Sequence, residues 1–231
     1  MDHFRQNPPG PASKPAIALL GGVFDPPHQG HIDIGLSALE LAQVEVVRWI
    51  PCAEIPHHKA PPIAPAQARL EMVELICGEI AGFTVDDVEF RRRGPSYTVD
   101  TVKSLSEAYP GQTLLWIVGA DNARSMARWK SADELWQIAV PIVAPRPGLS
   151  QTETGTALLK REDFPYIGDQ RWQLFLQWQL PALSKDVSSS EIRSLLRESS
   201  DPHQLTEEHP GIPQVIADYL LKGGWYASSQ E

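Results

Sequence analysis

The stretch Ala16-Ile17-Ala18-Leu19-Leu20-Gly21-Gly22-Val23-Phe24-Asp25-Pro26-Pro27-His28-Gln29-Gly30-His31 decides how the chain is organised. Its first five residues are apolar and run into a Gly-Gly pair, which reads as a short strand buried on both faces. A Val-Phe-Asp-Pro-Pro turn follows. A helix is expected from about Gly30, with Ile32, Leu36 and Leu39 on one face. The glycines form neither GxxxxGK[ST] nor GxGxxG, so this is neither a P-loop nor a dinucleotide fingerprint. Its content is two histidines, His28 and His31, placed around Gly30 at a strand-to-helix turn. Gly30 lets a ligand approach the backbone closely. A helix start offers N–H groups and partial positive charge. Both imidazoles can donate to phosphate oxygens, and together these features describe a triphosphate site. A metal reading of the pair finds no third ligand in the sequence.

Outward from this turn, short apolar runs alternate with helical periodicity. Strands are expected at Val44–Ile50, Phe83–Val85, Leu114–Val118, Val140–Ala144 and, last, Gln173–Leu180. Helices are expected at Gln67–Ile80, Thr98–Ala108, Ser189–Arg197 and Pro213–Leu221. Pro51, Pro56, Pro61, Pro62 and Pro65 make the segment after the second strand a loop. The alternation predicts an α/β fold: a doubly wound, Rossmann-like parallel sheet with a small C-terminal helical extension. Residues 1–15, rich in proline and polar side chains, read as a loose lead-in; residues 16–187 form the core, and 188–231 the helical extension. In such sheets ligands bind beyond the carboxyl ends of the strands, which is where the informative residues stand.

Of 231 residues, 42% are hydrophobic and 21% charged, a globular balance. With 29 acidic and 20 basic side chains the net charge is −9, which argues against a general nucleic-acid binder. An anionic ligand must then be met by locally concentrated donors. Cys52 and Cys77 sit in no zinc spacing and suggest a reducing compartment. No apolar run is long enough for a membrane span and the first residues lack a signal-peptide core, so a cytoplasmic protein is expected. Self-association as a homo-oligomer is left open.

A second anion site is legible near the other end. In Val187-Ser188-Ser189-Ser190-Glu191-Ile192-Arg193, Ser188 and Glu191 have capping-box spacing. Ser189, Ser190 and Arg193 add hydroxyls and a guanidinium at the helix start.

The turn segment resembles the GGTFDPxHxGH motif of the nucleotidyltransferase superfamily, most closely that of the nicotinate-nucleotide adenylyltransferases. Val23 stands where that family usually has Thr or Ser, so a hydroxyl is absent there. The serine segment resembles the family's ISSTxIR motif. His58-Lys59 in the proline-rich loop resembles its Pro-His-Lys loop, and Arg69 and Met72 match the helix after it, with packing or salt-bridge roles. Arg91–Thr101 resembles RxGxSYTxDT, Gly119-Ala120-Asp121 resembles Gly-x-Asp, Trp129 falls at the family's tryptophan, and Arg146-Pro147-Gly148 also matches.

The resemblance implies transfer of AMP from ATP to nicotinate mononucleotide, giving nicotinate adenine dinucleotide and pyrophosphate. His28, His31 and Arg193 are the implied catalytic groups. Gly21, Gly22, Val23, Phe24, Lys59, Gly119, Asp121, Ser189 and Ser190 join them in the implied ATP site. Lys59, Thr98 and Trp129 are implied on the nicotinate mononucleotide. Mg²⁺ is expected on the ATP phosphates, with no dedicated protein site. The rival readings are a sister adenylyltransferase for nicotinamide mononucleotide or phosphopantetheine, a cytidylyltransferase, a class I aminoacyl-tRNA synthetase relative, and a non-catalytic nucleotide sensor.

Overall fold

In the computed structural model, which describes residues 16–41, 44–56, 60–144, 159–177, 180, 187–198, 206, 209 and 211–226, the first apolar run lies at the middle of the sheet. Strand β1 (Ala16–Gly22) pairs in parallel with β2 (Val44–Pro51) on one side and with β4 (Thr113–Gly119) on the other. Its successive residues Ala16–Leu20, which point to alternate faces of the sheet, are all buried, so both faces are covered and the run carries no polar residue. Beyond β2 lies β3 (Phe83–Val85), and beyond β4 lies β5 (Ala139–Ala144). The strand order is β3-β2-β1-β4-β5, and all four pairings are parallel. The chain winds outward from β1 to β3, then returns to place β4 against β1. The switch point of this doubly wound sheet lies between β1 and β4, and sheets of this kind bind ligands in the crevice beyond the strands' carboxyl ends there.

The connecting helices follow the sequence periodicity closely. They are α1 (Gln29–Leu39), α2 (Ala66–Glu79), α3 (Thr98–Ala108), the single turn α4 (Ala120–Ala123) and α5 (Ala132–Ile138). Val99, Val102 and Leu105 of α3 and Val73 and Ile76 of α2 are buried against the sheet as their i, i+3 spacing demands.

One expected element is of the wrong type. Gln173–Leu180 is not a sixth strand: residues 173–177 belong to helix α6 (Asp169–Gln177), Leu180 lies in no strand or helix, and residues 178–179 lie outside the described residues. Alternation of Gln with Leu and Phe imitates a period of two. The competing signal is the aromatic pair Trp172 and Phe175, three residues apart and hence on one helical face. Both pack on Trp136 of α5, with ring centroids 6.0 and 5.6 Å away, and Trp172 also meets Phe164 at 6.2 Å. Gly168 starts the helix, its carbonyl accepting from the Trp172 N–H at 3.1 Å.

Two further helices complete the described chain, α7 (Ser189–Glu198) and α8 (Gln214–Gly223). Their Ile192, Leu196, Ile216 and Leu220 join the same apolar core as the strands, as do Ile212 and Tyr226 beside them. The Tyr219 hydroxyl ties α8 to α2 by donating to Glu71 Oε2. Among the described residues no helix is long and apolar enough to cross a membrane.

Candidate active site

The turn after β1 is built on Asp25. Its carboxylate accepts the backbone N–H groups of Ile63 and Ala64, each at 2.9 Å, which holds the proline-rich loop beneath the turn. Phe24 before it adopts a positive φ of 53° and its ring lies over Gly22, where a Cβ would come within 2.8 Å of it. Gly22 is therefore glycine for space. The Phe24 ring meets His31 edge-on at 5.0 Å and Trp49 at 5.3 Å. His31 is thus half-buried against aromatic rings instead of standing free on an exposed first turn.

His28 is the N-cap residue of α1 and is buried, with 7% of its surface exposed. Its ring lies 3.8 Å, centroid to centroid, from that of His31. Gly30 makes this possible, since a Cβ there would sit 3.1 Å from His28 Nδ1. That Nδ1 is sequestered and has no partner among the described residues. His31 Nδ1 instead accepts the His28 backbone N–H at 3.2 Å. Burial pulls the His28 imidazole down to about 4, and burial together with His28 holds His31 well below its usual range. Both rings are neutral at pH 7 and ready to gain protons beside an anion.

The start of α1 offers fewer free backbone donors than an isolated helix end. The Gln29 N–H donates to Gly211 O and the His31 N–H to His28 O, both at 2.9 Å. Among the described residues, Gly30 alone of these leaves its N–H without a partner. The C-terminal segment supplies the missing charge. Ser188 caps α7, its Oγ accepting the Glu191 N–H at 3.2 Å. Arg193 reaches across 168 positions to donate from Nη1 to the Asp25 carbonyl at 2.8 Å, while its Nη2 donates to Ser190 Oγ at 3.0 Å. The Ser189 hydroxyl donates to the Pro26 carbonyl at 3.0 Å. The two histidines, Ser189, Ser190 and Arg193 thus come together, although the sequence separates them by about 160 positions.

The other half of the crevice is assembled from α3 and the segment after α4. Thr98 is the first residue of α3, and its hydroxyl has no partner among the described residues. Trp129 is half-buried, its ring 4.9 Å from Trp116 and its indole N–H donating to Ser125 Oγ at 3.0 Å. The joint between them is Lys130. Its Nζ pairs with Asp100 Oδ2 at 2.9 Å and lies 4.4 Å from the centre of the Tyr97 ring. Residues adjacent to Trp129 and to Thr98 are thereby pinned together. Ser96 is held in turn by the loop after β2, donating its N–H to Glu54 O at 2.8 Å. Gly119 ends β4 across the switch point from Gly21 and Gly22, and Asp121 lies in the turn of helix that follows it. Lys59 and Arg146 fall outside the described residues, as does the side chain of Asp121.

Comparison with known proteins places the chain in a family. The Cytidylyltransferase-like family matches over residues 19–195. A protein of Aeromonas hydrophila named "Probable nicotinate-nucleotide adenylyltransferase" is 32% identical over 92% of this chain and 98% of its own. One of the same name from Thermus thermophilus is 33% identical over 91% of this chain and 98% of its own. The chain belongs to the nicotinate-nucleotide adenylyltransferase family. A solved structure of Plasmodium falciparum nicotinic acid mononucleotide adenylyltransferase complexed with NaAD shares the fold, with a TM-score of 0.68 at 19% identity, covering 92% of this chain and 97% of that one.

Within this nicotinate-nucleotide adenylyltransferase framework, Lys130 and Tyr226 escaped the sequence reading, while Arg69, expected in packing or a salt bridge, takes a more definite role. Arg69, 1% exposed, is a clamp for backbone carbonyls: its Nη1 donates to Val23 O at 2.7 Å and Cys52 O at 2.6 Å, and its Nε to Ala64 O at 3.3 Å. It joins the ends of β1 and β2 and the proline-rich loop, a packing role carried out by charge-assisted hydrogen bonds. Lys130 carried no signal beyond its position after Trp129. Tyr226 donates to Asp25 Oδ1 at 2.6 Å from 201 positions away, a pairing no local pattern announces. Cys52 lies beside the site, but burial pushes its thiol up to about 11, so it stays protonated and is a poor nucleophile.

Proposed function

We propose that the protein transfers the adenylyl group of ATP to nicotinate mononucleotide, releasing pyrophosphate and forming nicotinate adenine dinucleotide. The observation that carries this reading is the convergence of the His28–His31 pair and Arg193 on one turn at the sheet's switch point, in a chain of this family. A 5′-phosphate oxygen of the mononucleotide attacks the α-phosphorus in line. The new P–O bond forms as the bond from the α-phosphorus to the α–β bridging oxygen breaks, and the electron pair leaves with pyrophosphate.

The reaction needs position and charge stabilisation more than covalent chemistry. His28, His31 and Arg193 face the triphosphate, joined by the Gly30 N–H and the Ser190 hydroxyl; Lys59 is proposed to join them from its loop. In this reading ATP lies along Gly21, Gly22, Val23 and Phe24, with Gly119 and Asp121 toward its ribose. The mononucleotide lies between Thr98 and Trp129. Thr98 contributes a hydroxyl and the α3 N-terminus, which suits a carboxylate. Trp129 offers a planar face for the pyridinium.

Magnesium is proposed to arrive on the triphosphate with its water. The side chains around the turn suit that role, because imidazoles and a guanidinium meet phosphate oxygens and leave the cation to phosphate and solvent. Bound Mg²⁺ further neutralises charge developing on the pyrophosphate.

The test is pyrophosphate release from ATP and Mg²⁺ with a panel of acceptors. Release is expected with nicotinate mononucleotide, weakly with the amide, and not with phosphopantetheine. Turnover with phosphopantetheine and none with either pyridine nucleotide would overturn the assignment.

A further inference from the structure

We infer that Tyr226 is a positioning residue for the ATP half of the site, acting through Asp25; this rests on the function proposed above. Tyr226 is 4% exposed and follows the end of α8, far in sequence from any phosphate-facing group. Its hydroxyl donates to Asp25 Oδ1 at 2.6 Å, and burial followed by this bond pushes its own ionisation far above the usual tyrosine range. Asp25 is the point where the site's separate parts meet. One carboxylate oxygen takes the Tyr226 hydroxyl and the Ala64 N–H, and the other takes the Ile63 N–H. The same residue's backbone carbonyl receives Arg193 Nη1 at 2.8 Å, and its Oδ2 lies 3.8 Å from that nitrogen.

The orientation of Asp25 therefore sets where Arg193 points and how the turn toward His28 runs. Without the Tyr226 hydroxyl, one lone pair of a buried carboxylate loses its donor. Among the described residues the nearest cation able to compensate is Arg193, which would swing from the carbonyl toward the carboxylate and away from a triphosphate. Among the described residues no hydrogen bond runs directly from Tyr226 or Asp25 to Thr98 or Trp129, whose half of the site is braced by Lys130 and Asp100. The effect of losing the hydroxyl therefore falls mainly on ATP.

The matched control is Tyr219 on the same C-terminal segment. It also donates to a carboxylate, Glu71 on α2, and among the described residues neither hydrogen-bonds to the turn. The experiment measures steady-state kinetics for both substrates, together with calorimetric binding of ATP alone, in wild type, Tyr226→Phe and Tyr219→Phe. Hydrogen bonds to charged groups carry enough free energy for Tyr226→Phe to raise the KM and Kd for ATP about 10-fold, with the KM for nicotinate mononucleotide changed less than about twofold. Tyr219→Phe should leave all three near wild type while lowering thermal stability. Should the Phe variant fail to fold, Tyr226→Met fills the volume without a donor and is read the same way. Wild-type ATP constants in a folded Tyr226 variant, or equal ATP defects in both tyrosine variants, would overturn the inference. If the wild type binds ATP but does not turn over with nicotinate mononucleotide, the proposed function fails, and the Kd comparison still decides the role of Tyr226.

Discussion

Replacing His28 with asparagine should flatten the acid side of the stability profile. Burial pulls the His28 imidazole from its ordinary 6.5 in the unfolded chain to about 4 in the fold. Between those values the unfolded chain holds a proton that the folded chain refuses. The unfolded state then binds more protons, so stability falls as pH falls through this window; above pH 6.5 the residue is neutral in both states and contributes no slope. The gap corresponds to roughly 3 kcal/mol once the pH is below 4, at about 1.4 kcal/mol per unit. Asparagine suits an N-cap and does not titrate, so the variant should be relieved of this term. His31 is depressed in the same direction and keeps part of the slope in the variant. The assay is urea unfolding followed by tryptophan fluorescence at about pH 7, 6 and 5. The stability difference between variant and wild type should shift in the variant's favour by about 2 kcal/mol between pH 7 and pH 5. Parallel pH profiles would refute the idea that His28 is held neutral by burial. The same reasoning has a ligand side. A triphosphate next to two neutral imidazoles favours their charged forms, so ATP binding should take up protons and weaken as pH rises.

His31→Ala and Arg193→Ala should each slow turnover by roughly 10²-fold or more, the usual scale for removing a charge-stabilising donor; near wild-type rates in folded protein would count against the phosphate assignment. Trp129→Ala should raise the KM for nicotinate mononucleotide far more than that for ATP, and a defect confined to ATP would contradict the stacking role. Arg69→Leu leaves three buried carbonyls short of donors and should cost several kcal/mol, on the order of 3–5, in urea unfolding; a loss under about 1 kcal/mol would show that those carbonyls find other partners.

The sheet was legible because its strands are apolar on both faces. Ala16–Leu20, Leu114–Val118 and Val140–Ala144 allow no other placement than the interior of a parallel sheet. The segment at 173–180 misled because a short run of alternating polar and apolar residues fits a strand and a helix alike, and only tertiary packing on Trp136 selects between them. The His-x-Gly-His turn and the serine-rich helix start were legible as two separate segments, and only the family resemblance implied that they share a site. The residues alone did not bring them together, since Arg193 and Ser189 reach Asp25 and Pro26 through contacts that leave no local periodicity. Tyr226 and Lys130 were invisible for the same reason. Each bonds a residue far from it in sequence, Tyr226 to Asp25 and Lys130 to Asp100.

The central claim is tested most directly by following labelled phosphorus in ATP. With Mg²⁺ and nicotinate mononucleotide, label at the α-phosphate should appear in nicotinate adenine dinucleotide, and label at the γ-phosphate should leave in pyrophosphate, in equal amounts and with none retained on the protein. Label from the α-phosphate trapped on the protein, or no labelled dinucleotide while ATP is consumed, would contradict direct adenylyl transfer at the His28–His31–Arg193 site.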